Sequence, residues 1–261
     1  MQTLPPIRPH DLLWIADARD LILSEPAPAW LTAGWLAQVP VVVRRELTRD
    51  EDIVPVGVRG MSRSERVAGH VNAPRIERRL TPEAVVDGAA QTLPVFDAEL
   101  PCLRALSWAT PKLAAIQLAW GVTGSVGFAL ATGLPVLRDA SDLDVLLRAP
   151  RRLTRAETDA LSDMLSNAPA RIDLQIDTGI GGFALLEWLA GRGHVMLKTD
   201  RGPVLVEDPW RVEEVEAALA GLARPRSSMP TVAATSSSTS APAPSPSPTS
   251  TSTSNPPAAH P

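Results

Sequence analysis

Gly121-Val122-Thr123-Gly124-Ser125-Val126-Gly127-Phe128, followed by Ser141-Asp142-Leu143-Asp144-Val145-Leu146-Leu147, is the stretch whose reading decides the fold. The first piece predicts a short strand over 120–123, a Gly124-Ser125 turn and a helix over 126–131. The second predicts an apolar strand over 143–147. Side chains alternate along a strand, so Asp142 and Asp144 point to one face. Two neighbouring carboxylates repel each other unless a cation lies between them. Magnesium suits that place, because it prefers hard oxygen ligands together with substrate phosphates. A strand-to-helix turn offers free backbone N–H groups and the positive end of the helix dipole, both of which favour a phosphate. Gly124 lets a ligand approach the backbone, and the Ser125 hydroxyl adds a donor. Asp142 and Asp144 are therefore the expected catalytic carboxylates and Mg2+ ligands, with Gly124 and Ser125 binding phosphate. Asp173, in Ile172-Asp173-Leu174 on a later strand, is the third candidate carboxylate, to complete the site or to accept a proton. Asp177 lies on the same strand face and competes with it.

Outward from this centre, the pattern alternates helix and strand. Helices are expected over 111–119, 154–165, 183–189 and 212–222. The second of these opens on a capping box, Thr154 with Glu157. A strand is expected over 171–178, and 194–199 with 204–207 reads as a hairpin through Arg201-Gly202. Towards the N-terminus, a short helix over 29–36 precedes strands over 41–45 and 53–59. Arg59-Gly60-Met61-Ser62-Arg63 reads as a basic loop, and Thr81-Pro82-Glu83 as a helix start. Polar sequence near 88–92 is the candidate boundary. The expected organisation is an N-terminal substrate- or partner-binding unit over 1–88, a larger unit over 89–224, and a tail over 225–261. From Ser227 to Pro261 no charged residue occurs and Ser, Thr, Pro and Ala dominate. Such a segment buries too little apolar surface to offset its ordering entropy, so it is expected to be disordered. The fold class is α+β with a small sheet, preceded by a small N-terminal α/β unit.

Composition narrows the function. The formal net charge is -4, which speaks against general nucleic-acid binding. Cys102 is the single cysteine. It allows no internal disulfide or cysteine metal cluster, and reads as a buried thiol. No leader pattern or membrane-spanning apolar run is evident, so a cytoplasmic protein is expected. The four histidines lack metal-ligand spacing. Trp188 and Trp210 read as core residues, and Gly181-Gly182 as either a phosphate-binding turn or a plain connection.

The Gly-Ser turn, the D-x-D strand and the later carboxylate resemble, in the same order, the nucleotidyltransferase superfamily that includes DNA polymerase beta. A closer resemblance spans most of the chain outside the tail. It is carried by Arg8-Pro9-His10-Asp11-Leu12-Leu13-Trp14, Pro55-Val56-Gly57-Val58-Arg59-Gly60, Gly121 to Phe128 and Ala131-Thr132-Gly133. Ser141 to Asp144, Gly181-Gly182-Phe183-Ala184, Leu197-Lys198-Thr199 and Asp208-Pro209-Trp210 complete it. These residues resemble the malonate decarboxylase holo-acyl-carrier-protein synthase family, the phosphoribosyl-dephospho-CoA transferases. The resemblance implies a polymerase-beta-like domain. It also implies transfer of the phosphoribosyl-dephospho-CoA group from its triphosphoribosyl precursor to a serine of the apo acyl-carrier protein of malonate decarboxylase, releasing diphosphate. On that reading Lys198 is a point charge for a substrate phosphate, set against a solvated strand end. Arg59, Arg63 and Arg66 would grip the CoA pyrophosphate or the acidic carrier protein, set against a solvated face. Another metal-dependent nucleotidyltransferase and a catalytically dead carrier-binding scaffold are the rival readings.

Overall fold

A computed structural model of the chain describes residues 6–222 apart from Arg63 and Arg192. The tail over 225–261, expected to be disordered, lies outside the described residues. The described chain is a mixed α+β structure with two six-stranded sheets.

The first sheet is made by β1 (Leu12–Ile15), β2 (Leu21–Ile22), β3 (Val41–Val43), β4 (Ile53–Arg59), β5 (Arg66–Asn72) and β6 (Ile76–Leu80). Their order is β2-β5-β4-β3-β1-β6, and every neighbouring pair is antiparallel. Val41, Val43, Val54, Val56, Val58 and Val71 pack with Leu13 into one buried cluster, the kind of pleated surface that β-branched residues fill well. β4 and β5 pair from Ile53↔Asn72 to Arg59↔Arg66, so the expected basic loop is the tip of a hairpin. The first part was expected to be α/β. It is predominantly sheet, because α1 (Ala33–Leu36) is the one α-helix before Pro82 among the described residues. β1, β2, β5 and β6 went unexpected. β5 and β6 interleave charge and glycine (RVAGHVN, IERRL), and their strand state comes from their neighbours rather than from their own pattern.

The second part runs α2 (Pro82–Thr92), α3 (Pro101–Ala115), β7 (Trp120–Val122), α4 (Gly124–Thr132), β8 (Leu143–Arg148), α5 (Arg155–Ser166), β9 (Ile172–Asp177), β10 (Gly182–Ala184), α6 (Leu185–Leu189), β11 (Val195–Thr199), β12 (Gly202–Val206) and α7 (Val212–Leu222). Its sheet has the order β12-β11-β10-β9-β8-β7. Six strands correct the expected small sheet. β8 and β9 are parallel, as the crossover through α5 between them requires. Thr154 and Glu157 form the expected capping box on α5.

Two boundaries differ from expectation. Pro111 was read as a helix start but lies inside α3, which begins at Pro101. An interior proline costs about 3 kcal/mol. α3 buries Cys102, Leu103, Ala105, Leu106, Ala109 and Leu113, and that burial outweighs the defect at ~1.5–3 kcal/mol per large side chain. The segment 183–189 was read as helix throughout. Its first residues instead form β10, pairing Phe183 with Ile176 of β9, and the helix starts at Leu185.

Leu143, Val145 and Leu147 of β8 are buried in one cluster with Leu106 and Leu113 of α3 and Leu161 and Met164 of α5. Leu12 of β1 joins the same cluster, which ties the first sheet to the second. Alternation then sends Asp144, Leu146 and Arg148 to the opposite face of β8.

Candidate functional site

The parallel register places Asp144 opposite Asp173 and Arg148 opposite Asp177. Strand spacing of ~4.8 Å makes Asp144 and Asp173 immediate neighbours. The turn after β7 is fastened to this row: the Thr123 N–H donates to the Asp144 carbonyl at 2.9 Å, and the Gly127 N–H donates to the Thr123 carbonyl at 2.8 Å, opening α4. Gly124 has a φ of +59°, and a Cβ there would stand 1.8 Å from Oδ2 of Asp144. Only glycine allows both that backbone and that approach. The turn and the carboxylate therefore touch.

Gly124, Ser125, Asp142 and Asp144 line a cavity of about 560 Å³. The first sheet supplies the opposite wall, including His10, Leu12, Arg44, Arg59 and Arg66. Arg59 was expected to end the strand over 53–59 and open a basic loop, with a solvated face as the alternative. It ends β4 at 8% exposure, and its Nη1 donates to Ser125 Oγ at 3.3 Å. Its guanidinium lies 4.7 Å from the Phe128 ring centroid. Burial lowers its pKa, the Arg66 charge adds to this, and Asp144 opposes it. Arg66, in contrast, is exposed. Arg63 lies outside the described residues.

Asp177 is engaged elsewhere. It is 6% exposed and pairs with Arg148 and, at 3.0 Å, with Arg45. Burial alone would raise its pKa, but Arg45 and Arg148 outweigh that and hold it below the usual carboxylate range. Arg148 also donates to Glu83 at 3.0 Å, so one buried ionic chain joins α2, β8, β9 and the segment after β3. Asp173 stands beside Asp144 but is not part of the cavity wall. Lys198 is exposed on β11 opposite Gly182, also off that wall. Gly182 belongs to β10, so Gly181-Gly182 opens no helix. Phe183, Trp188 and Trp210 form an edge-to-face aromatic cluster, and Cys102 is fully buried; both agree with their reading as core.

Asp142 and Asp144 supply hard oxygens to one cavity, which fits magnesium completed by water and substrate phosphates. Among the described residues, no three His, Cys, Asp or Glu side chains form a protein-only metal cage. Three polar wall residues escaped the motif reading, His10, Arg44 and Gln175, and so did the pairing of Asp177 with Arg45 and Arg148 behind them. The one local signal was Arg148 closing the apolar run of β8, since a charge there needs a buried partner.

A carboxylate pair, a glycine-serine turn opening a helix and a cationic wall around one cavity suit group transfer from a phosphorylated substrate, the work of a transferase. Comparison with known proteins makes the assignment specific. Residues 8–82 match the phosphoribosyl-dephospho-CoA transferase MdcG N-terminal domain, and residues 89–209 match the MdcG C-terminal domain of the same enzyme. A phosphoribosyl-dephospho-CoA transferase of Pseudomonas aeruginosa is 48% identical over 210 residues, covering 80% of this chain and 96% of its own. Proteins of the same name from Klebsiella pneumoniae and Pseudomonas putida are each 44% identical, covering 79% of this chain and 98% and 97% of theirs. The chain belongs to the phosphoribosyl-dephospho-CoA transferase family. No solved structure matches it. Among the described residues no helix is long and apolar enough to cross a membrane.

Proposed function

We propose that this transferase moves the phosphoribosyl-dephospho-CoA group from 2'-(5''-triphosphoribosyl)-3'-dephospho-CoA to a serine of the apo acyl-carrier protein of malonate decarboxylase, releasing diphosphate in the cytoplasm. The observation that carries this reading is the contact of the Gly124–Ser125 turn with the Asp144 carboxylate inside a cavity whose other wall holds buried Arg59. A triphosphate needs cationic and N–H donors, and the order of turn and carboxylates supports a polymerase-beta-like arrangement of residues 89–224. Residues 1–88 then serve the bulky donor and the protein acceptor.

The acceptor serine oxygen attacks the α-phosphorus, and the bond to the departing diphosphate breaks. Backbone N–H groups at Gly124 and Ser125 hold the phosphates at the start of α4. Arg59, fixed by Ser125 and Phe128, offers a guanidinium fork to their oxygens. Asp142 and Asp144 would hold Mg2+, which supplies charge neutralisation when bound. Asp173 supports Asp144 from the neighbouring strand, and Lys198 adds a long-range positive charge. Positioning and charge neutralisation dominate transfers of this kind.

Intact-mass measurement of an apo carrier protein, incubated with the chain, Mg2+ and the triphosphoribosyl donor, tests the proposal. The carrier gains one phosphoribosyl-dephospho-CoA group, and a carrier with its serine replaced by alanine gains none. An unmodified carrier in the presence of folded enzyme and competent donor contradicts the reading.

A further inference from the structure

The turn before β1 carries a residue that its geometry does not favour. Arg8-Pro9-His10-Asp11 closes with the Asp11 N–H donating to the Arg8 carbonyl at 3.1 Å. His10 has a φ of +75°. In a turn with proline at the second position, a left-handed third position calls for glycine or asparagine. Strain of this kind persists where the surroundings over-determine it, and it gathers at functional sites. Here the surroundings are explicit. The Arg8 N–H donates to the Asp11 carboxylate at 2.8 Å, and Arg79 pairs with that fully buried carboxylate at 2.7 Å. The His10 N–H donates to the Val43 carbonyl at 2.9 Å, and Arg148 reaches the Pro9 carbonyl at 3.4 Å. The outcome is a half-buried imidazole in the wall of the cavity that Asp142 and Asp144 also line.

We propose that His10 is a catalytic residue, the group that accepts the proton of the attacking hydroxyl. This rests on the transfer reading given above. The other wall residues leave little choice. Arg44, Arg59 and Arg66 carry guanidinium groups, which donate protons in hydrogen bonds and accept none. Asp142 and Asp144 are committed to the cation, and Ser125 Oγ is engaged by Arg59. Among the described wall residues, His10 is the remaining proton acceptor. In the step, the hydroxyl oxygen bonds to the α-phosphorus and its proton passes to an imidazole nitrogen. The bond from that phosphorus to the bridging oxygen breaks, and diphosphate leaves with the electron pair. The imidazolium returns the proton to diphosphate or water.

The charges around the ring keep it in its proton-accepting form and weaken it as a base in the empty site. Burial comes first, then Arg45 beyond β3 and Arg148 on β8; together they lower its pKa from 6.5 to about 4. Lys198 on β11 acts in the same direction, and Asp177 on β9 opposes it. The ring is therefore neutral near pH 7 and its acceptor nitrogen is free of a proton. A bound polyphosphate sets negative charge against the arginines and raises the basicity of the ring where the proton is taken.

Glycine separates the imidazole from the backbone it strains. His10→Gly suits the positive φ and folds, while His10→Asn keeps a polar side chain that tolerates the same backbone but takes no proton. Melting temperature and calorimetric binding of inorganic triphosphate establish that both variants are folded and competent to bind. Carrier modification by both falls by about a hundredfold or more, the size of a general-base contribution. Added imidazole restores part of the rate in His10→Gly. Transfer by either variant within about threefold of the unaltered chain overturns the proposal, as does a lost rate that imidazole leaves unchanged. Working variants beside a working parent remove the role of His10 alone; a parent that never modifies the carrier removes the transfer reading and this role with it.

Discussion

The two sheets contribute opposite charges to one cavity. The second sheet brings carboxylates: Asp142 and Asp144 on the wall, with Asp173 beside them. The first brings cations and a base: Arg44, Arg59 and Arg66, with His10 from the turn before β1. The carboxylates come from β8 and the residue just before it, two positions apart in the sequence. The cations come from the ends of three strands and meet only because β3, β4 and β5 pair in their particular register. One wall of the cavity is set by local spacing, the other by long-range pairing.

The largest effect should come from the acidic wall. Asp144→Asn leaves the strand in place but removes a hard anionic ligand, so carrier modification falls by on the order of a thousandfold or more. Steady-state transfer assays, with circular dichroism to confirm folding, check this. Turnover near the parent rate would detach catalysis from β8.

That asymmetry explains what the sequence made legible. The Gly124-Ser125 turn, β8, α5 with its capping box and the β11–β12 hairpin were readable because each carries its own short-range signal: a turn glycine, an apolar run, a Thr–Glu pair, an Arg-Gly corner. The contact between Gly124 and Asp144 follows from the same few residues. β5 and β6 were not readable, since RVAGHVN and IERRL are strands through their partners. Pro111 misled for a related reason: its local preference is overridden by the apolar face of α3. Arg59 read as a loop charge because nothing nearby announces that Phe128 and Ser125 will receive it. Asp177 competed with Asp173 on strand alternation alone, and only the distant Arg45 shows that it serves the ionic chain.

The joint between the walls gives the next effect. Arg148→Met leaves Asp177 with Arg45 and Glu83 with Arg8 as their remaining ionic partners, and breaking a buried pair costs about 3–5 kcal/mol. Chemical denaturation should show that loss. The folded-state pKa of Asp177 is depressed, so its contribution is present above the ordinary carboxylate range and is lost as pH falls through the lowered value. The stability gap between parent and Arg148→Met should therefore narrow in acid. A gap that is small at neutral pH would mean that the two walls are not coupled through this chain.

A smaller effect tests a signal that was local throughout. Thr154→Ala removes the side chain that accepts the Glu157 N–H at 3.2 Å and should cost about 1 kcal/mol. It should leave transfer unchanged, because α5 packs behind β8 and contributes nothing to the cavity wall. A matching loss of activity at a temperature where the variant is fully folded would show that the site depends on more than the two walls.

The most direct test of the two-wall account is calorimetric binding of inorganic triphosphate to the parent, Arg59→Met and Asp144→Asn, each with and without Mg2+. The cationic wall acts on phosphate directly, so Arg59→Met should weaken binding under both conditions by about 1.5–3 kcal/mol, the worth of a charged hydrogen bond. The acidic wall acts on phosphate through the cation, so Asp144→Asn should bind more tightly than the parent without Mg2+ and more weakly with it. Binding by Asp144→Asn that changes in the same direction with and without the cation, or that is untouched in Arg59→Met, would contradict the account.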